Sequence, residues 1–189
     1  MFFRKSYHTE DELLEGCQNG DKKAQRALYE RYSSRFFAIC LRYTKDRFVA
    51  EDVLVEGFMK IFERLHQFEN KGSFEGWMKK IMVTQALLKL RSNKHLNMEV
   101  LIDENWQQDS SSYEINHLEA EDLLALIAEL PVGYRTVFNL YAIEGYSHQE
   151  IASLLGITES TSKSQLNRAR GVLKEKIADQ QQKERSING

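Results

Sequence analysis

The sequence predicts an all-α fold: two helical domains joined by a flexible acidic linker, the C-terminal one containing a helix-turn-helix. Three observations predict it. Apolar residues recur in steps of three and four through most of the 189-residue chain, and no segment sustains the period-two alternation of a half-buried strand. A single proline and ten glycines leave few breaks, and Leu, Ala, Glu, Lys, Gln and Arg dominate. The periodicity lapses over residues 95–116, where the chain turns polar, acidic and serine-rich.

The first twenty residues read as an N-terminal extension, too short and too acidic for a signal peptide. Residues 21–94 form the first domain. Ala24, Leu28, Tyr32, Phe36, Ile39 and Tyr43 trace one buried helical face, and Val53, Phe58, Ile61, Phe62 and Leu65 trace the next. Phe74, Trp77, Met78, Ile81, Met82 and Leu88 make a third stripe. Breaks fall at residues 44–47 and 69–73, the second with the turn composition of Asn70, Gly72 and Ser73. In the second helix Glu51, Asp52 and Glu56 share the side away from the stripe. In the third, Lys80, Thr84, Leu87 and Arg91 share the side opposite the apolar one.

After the linker a second domain spans residues 117–178. Leu118, Leu123, Leu124 and Ile127 begin it, Pro131 starts a new helix, and Val137, Phe138 and Tyr141 continue the core. Residues 145–170, GYSHQEIASLLGITESTSKSQLNRAR, have the layout of a helix-turn-helix. Ile151, Ala152 and Leu155 supply an apolar face. Gly156 suits a left-handed helix end, Thr158 can cap the next helix, and Glu159 sits where the helix dipole favours a carboxylate. Leu166, Ala169 and Leu173 line an inward stripe. Ser160, Ser164, Asn167 and Arg168 point away from it, with Lys163, Gln165 and Arg170 on its flanks. These hydroxyl, amide and guanidinium groups match the base edges and phosphates of a major groove, so DNA is the leading partner. Residues 179–189 are a polar tail, expected to fray.

The net charge is only −2, but its distribution is uneven. Residues 76–94 hold Lys79, Lys80, Lys89, Arg91 and Lys94 without an acid, and residues 95–130 hold nine acids and no Lys or Arg. Two basic segments separated by an acidic one imply two surfaces for a polyanion. Cys17 and Cys40 lack metal-type spacing and read as reduced, partly buried thiols of a cytosolic protein. The five histidines are scattered, with no HExxH, CxxC or phosphate-cradling loop. The expectation is therefore no enzyme, no metal and no cofactor. No apolar run reaches membrane-spanning length, so no membrane insertion is expected.

Taken in order, these segments resemble the RNA polymerase sigma factors, specifically the extracytoplasmic-function (ECF) group of the sigma-70 family. Residues 50–65, AEDVLVEGFMKIFERL, resemble the acidic helix that docks on the polymerase clamp. Residues 68–91, FENKGSFEGWMKKIMVTQALLKLR, resemble the segment that reads and melts the −10 element. Residues 129–141, ELPVGYRTVFNLY, resemble the start of region 4, and residues 145–170 its −35-reading motif. The resemblance runs over residues 21–178. It implies core RNA polymerase as a partner, through the β′ clamp and the β flap, with promoter DNA and an anti-sigma factor as others. It also implies a cytoplasmic location.

By that resemblance Glu51, Asp52 and Glu56 are the polymerase-docking residues. Asn70, Lys71, Ser73, Trp77, Lys80, Thr84 and Arg91 face the −10 DNA, with Asn70, Lys71 and Ser73 in a loop that holds a flipped base. Trp77 can stack on a base or belong to the core. Ser160, Lys163, Ser164, Gln165, Asn167, Arg168 and Arg170 face the −35 DNA. The chain departs from many relatives at Val83, Thr84 and Leu88, where they carry Arg, Asn and Asp, and at Ser162 and Gln165, where they carry Val and Arg. The Ser162 hydroxyl is expected to bond back to a helix carbonyl. Two other functions stay open on the residues alone: a helix-turn-helix regulator outside the sigma family, and a sigma-like protein that only sequesters a partner.

Overall fold

The computed structural model describes residue 7, residues 9–92 and residues 120–187. Every regular element among the described residues is helical, and the chain divides into two compact units, Met1–Ser92 and Asn93–Gly189. The linker reading of residues 95–116 falls outside the described residues.

The first unit contains α1 (Glu10–Gln18), α2 (Lys22–Thr44), α3 (Arg47–Arg64), a 3-10 turn (Leu65–Gln67) and α4 (Phe74–Ser92). Side-chain caps fix the helix starts. Thr9 and Glu12 form a reciprocal capping box on α1. Asp21 accepts from Lys23 N at 2.8 Å and Asp46 from Val49 N at 2.9 Å. Each such cap contributes about 1 kcal/mol. The stripes then meet in one core, where Leu13, Leu28, Phe36, Tyr43, Val53, Ile61, Met78 and Met82 are fully buried. Helix α1 packs on α2 through Leu13, Leu14 and Cys17. Part of the expected N-terminal extension is thus integral to the first unit. Close approach of α3 and α4 depends on Gly57, where a Cβ would lie 2.2 Å from Met82 Sδ.

Helix α4 corrects one expectation. It packs against both α2 and α3, so its buried arc is wide and takes in Ile81, Met82, Val83, Ala86, Leu87 and Leu90. Leu87 is buried and Leu88 is 48% exposed, the reverse of the expected assignment. Burial also accounts for the thiols: it pushes Cys17 up to about 11 and Cys40 to about 12, so both are protonated at neutral pH.

The second unit contains α5 (Ala120–Glu129), α6 (Val132–Phe138), a π-helical turn (Asn139–Ile143), α7 (His148–Leu155) and α8 (Glu159–Ile187). Ile127, Leu130, Ala169 and Leu173 form a core cluster, with Leu126, Tyr134, Phe138 and Val172 against it. The buried polar residues Arg135, Thr136, Asn139, Ser162 and Gln165 all lie in this unit. Arg135 secures the α5–α6 corner, its Nη1 donating to Leu130 O at 2.9 Å, and burial holds its pKa below the usual value. Helix α8 runs on to Ile187, into the polar stretch that begins at residue 179. Ile177 is buried and Lys176 pairs with Glu129 at 2.5 Å, so contacts to α5 support the helix near that point. No helix among the described residues is long and apolar enough to cross a membrane.

Candidate nucleic-acid interface

The acidic residues of α3 are presented together with apolar ones. Phe48, Asp52, Val55 and Met59 follow steps of four, three and four and are all exposed, with Glu51 and Glu56 exposed beside them. Phe48 is 79% and Met59 65% exposed. Large apolar side chains left in water beside carboxylates mark a surface made for contact rather than for solvation alone. Arg47 pairs with Glu51 at 3.1 Å. Lys89, reaching across from α4, lies 3.5 Å from Asp52 and 3.9 Å from Glu56.

Between α3 and α4 the chain turns through two left-handed residues, Asn70 (φ 56°) and Gly72 (φ 88°). Residues 69–73 are all exposed. Ser73 serves the fold, its Oγ accepting from Gly76 N at 3.2 Å at the start of α4. Lys71 reaches back to Glu69 at 2.6 Å. Beside the loop, Trp77 is half-buried in a three-ring cluster, 5.5 Å from Phe68 and 6.0 Å from Phe74 between centroids. Lys80, Thr84, Leu88 and Arg91 make the exposed side of α4. The Thr84 hydroxyl donates to Lys80 O at 2.7 Å.

In the second unit the helix-turn-helix is built by local chemistry. Ser147 and Glu150 form a capping box at the start of α7, and Gly156 ends that helix at φ 69°. Thr158 Oγ1 accepts from Thr161 N at 3.0 Å and starts α8. Lys163 pairs with Glu159 at 2.7 Å, which lowers the Glu159 pKa.

Along α8 the exposed row is Ser160, Lys163, Asn167 and Arg170. Lys174, not singled out by sequence, lies four residues further on and is also exposed; the row from Ser160 to Lys174 is about 21 Å long at the helical rise. The signal for Lys174 was there in its spacing from Arg170. Ser164 and Arg168 are half-buried, with Ser164 Oγ donating to Thr161 O at 3.0 Å and Arg168 Nη1 to Tyr134 Oη at 3.4 Å.

Gln165 is the main correction: it is 3% exposed and its amide lies against Gly133. A glutamine next to Leu166 sits on the inward half of the helix, and the space left by a glycine accommodates it. Ser162 is buried as expected, but its Oγ pairs with His148 Nδ1 at 2.9 Å instead of the expected helix carbonyl.

Residues 28–95 match the family described as Sigma-70 region 2, and residues 120–173 match Sigma-70, region 4; together these span more than half of the chain. The chain belongs to the sigma-70 family. It is 28% identical over 181 residues to the ECF RNA polymerase sigma-E factor of Haemophilus influenzae, covering 89% of this chain and 95% of that one. The identity is also 28% over 181 residues to the sigma-E factor of Escherichia coli K12, with 89% and 94% covered.

Among solved structures, its fold is similar to that of the sigma factor RpoE from Bartonella quintana, crystallised with the anti-sigma factor NepR. The TM-score is 0.50 at 20% identity, covering 79% of this chain and 94% of that one. The protein is an ECF sigma factor, an alternative sigma factor that directs promoter-specific transcription initiation. The region 2 match of this sigma factor contains the α3 face, the 69–73 loop and α4, and the region 4 match contains the α8 row through Arg170, with Lys174 one residue beyond its end.

Proposed function

We propose that each exposed face has its own part in initiation. Glu51, Asp52 and Glu56, with Phe48, Val55 and Met59 among them, dock on the clamp of core RNA polymerase. Carboxylates steer a basic surface and the apolar atoms supply the desolvated contact. Asn70, Lys71 and Ser73 hold a base flipped from the −10 element, with Trp77 as an aromatic floor beside them. Lys80, Thr84 and Arg91 track the adjacent backbone. Ser160, Lys163, Asn167 and Arg170 enter the major groove of the −35 element, and Ser164 and Arg168 assist from the edge of the row.

The polymerase flap meets the second unit, and an anti-sigma protein, like that bound to RpoE, would compete for one or more of these faces. The work is cytoplasmic and is done by binding rather than by covalent chemistry. The observation that carries this reading is the α8 row: four polar residues, all exposed, in steps of three, four and three on the second helix of a capped helix-turn-helix.

Reconstitution with core polymerase tests it. The chain is expected to direct initiation from discrete start sites while binding duplex promoter DNA weakly when alone. Tight binding to duplex DNA by the chain alone, without promoter-specific initiation, would instead favour a regulator outside the sigma mechanism.

A further inference from the structure

Tyr141 was expected in the core, but it is 36% exposed. It lies in the π-helical turn, whose wider winding takes it off the stripe that Val137 continues. Its ring stacks on His148, the first residue of α7, with centroids 4.5 Å and planes 21° apart. His148 Nδ1 lies 2.9 Å from Oγ of the fully buried Ser162 in α8. Arg170, eight residues along α8 from Ser162, holds its guanidinium over the Tyr141 ring at 5.8 Å. The π-turn and both helices of the motif are thus joined through one aromatic pair, and the series ends at a residue of the DNA-facing row. Burial, Lys163 and Arg170 hold the His148 pKa below its usual value, with Glu159 opposing, so the ring that supports Tyr141 is neutral at pH 7.

We propose that Tyr141 and His148 are positioning residues for Arg170, fixing where its guanidinium meets −35 DNA; this rests on the reading of α8 as the −35-facing helix. An arginine side chain has large rotamer freedom, and an aromatic face that orients it beforehand reduces what is lost on binding. The Ser162–His148 bond holds the stack in register with α8. No contact between Tyr141 and DNA is required.

The test is a double-mutant cycle in reconstituted transcription with core polymerase. The readout is the ratio of initiation from a mapped promoter to that from the same promoter with its −35 element scrambled. Tyr141→Leu is expected to lower this ratio roughly two- to fivefold, the worth of an exposed cation–π contact. Arg170→Ala lowers it at least as much, and Tyr141→Leu in the Arg170→Ala background lowers it no further. Tyr141→Phe, which keeps the ring, recovers the loss.

Additive losses would overturn the proposal, because Tyr141 would then act independently of Arg170. An Arg170→Ala variant with an unchanged ratio would overturn it too. Lys163→Ala and Asn167→Ala then separate the two failures: if they lower the ratio, α8 still reads −35 and only the positioning role falls. If Tyr141→Leu fails to fold, seen as a collapsed unfolding midpoint, Tyr141→Met takes its place in the cycle.

Discussion

At the scale of single residues, the deviations from expectation come from packing in three dimensions. Gln165 and Leu88 were placed by helical spacing, and spacing tells which residues share a side but not how wide the buried arc is. Gln165 turned inward because Gly133 on α6 leaves room for its amide, and Leu88 turned outward because α4 buries Leu87 between two neighbours. Neither neighbour can be seen from within the helix itself. Gly57 shows the same effect, since its need for a bare Cα is set by Met82. Gly57→Ala is expected to destabilise the first unit by about 1–3 kcal/mol, the usual cost of overpacking a filled core; chemical denaturation checks this, and an unchanged midpoint would mean that Met82 moves aside freely. His148 gives a pH dependence with a definite sign. Its folded pKa lies below the ordinary 6.5, so the folded state resists protonation more than the unfolded chain does. The stability it contributes is full above 6.5 and is lost as pH falls through the lowered folded value. Replacing it by Gln should therefore flatten the fall in the thermal midpoint below that pH, and superimposable curves for the two proteins would count against the assignment.

At the scale of elements, the sequence was more informative. The stripes of α2 and α3, the capped start of α8 and the left-handed end of α7 were all legible, because each follows from chemistry within a few residues: a 3.6-residue period, a hydroxyl at an N-cap, a glycine at positive φ. Helix α1 was harder to read as part of the domain, since its place depends on contact with α2. The continuation of α8 beyond residue 178 was hidden by a polar tail, and contacts with α5 such as Lys176–Glu129 support it near that point. The cross-helix placement of Lys89 beside Asp52 and Glu56 also went unread. Exposed ion pairs of this kind contribute about 0–1 kcal/mol, so Lys89→Met should scarcely move the unfolding midpoint. It should, however, remove the Lys89 charge from beside Asp52 and Glu56 and strengthen their long-range pull on a basic partner. Association with core polymerase is expected to be faster at low salt and steeper in its salt dependence. Stopped-flow binding across a salt series measures both, and parallel curves for the two proteins would show that the α3 face does not steer docking.

At the scale of the whole molecule, the order of segments was the most legible feature: a helix with an acidic face, a polar turn followed by a basic helix, and a helix-turn-helix in the second unit. That order, more than any one motif, pointed to the family that the sequence matches then showed. It also explains why the α8 row can be sparing in arginines. A reader that contacts its promoter at two places, with the polymerase as a third anchor, needs only modest affinity at each, in keeping with effective-concentration arguments for linked sites. The account's central claim is this division of labour between the α8 row and the 69–73 loop with α4. The most direct measurement is reconstituted transcription from a mapped promoter and from versions altered separately at −10 and −35. Wild type is compared with a Lys163→Ala, Asn167→Ala double variant and with a Lys80→Ala, Arg91→Ala double variant, all at one stated salt concentration. The α8 variant should become insensitive to changes at −35 while still responding to changes at −10, and the α4 variant should open promoters less and transcribe each more weakly while its remaining activity keeps its response to −35. If both variants instead lost activity equally on every promoter, the two faces would not be separate promoter readers, and the claim would be wrong.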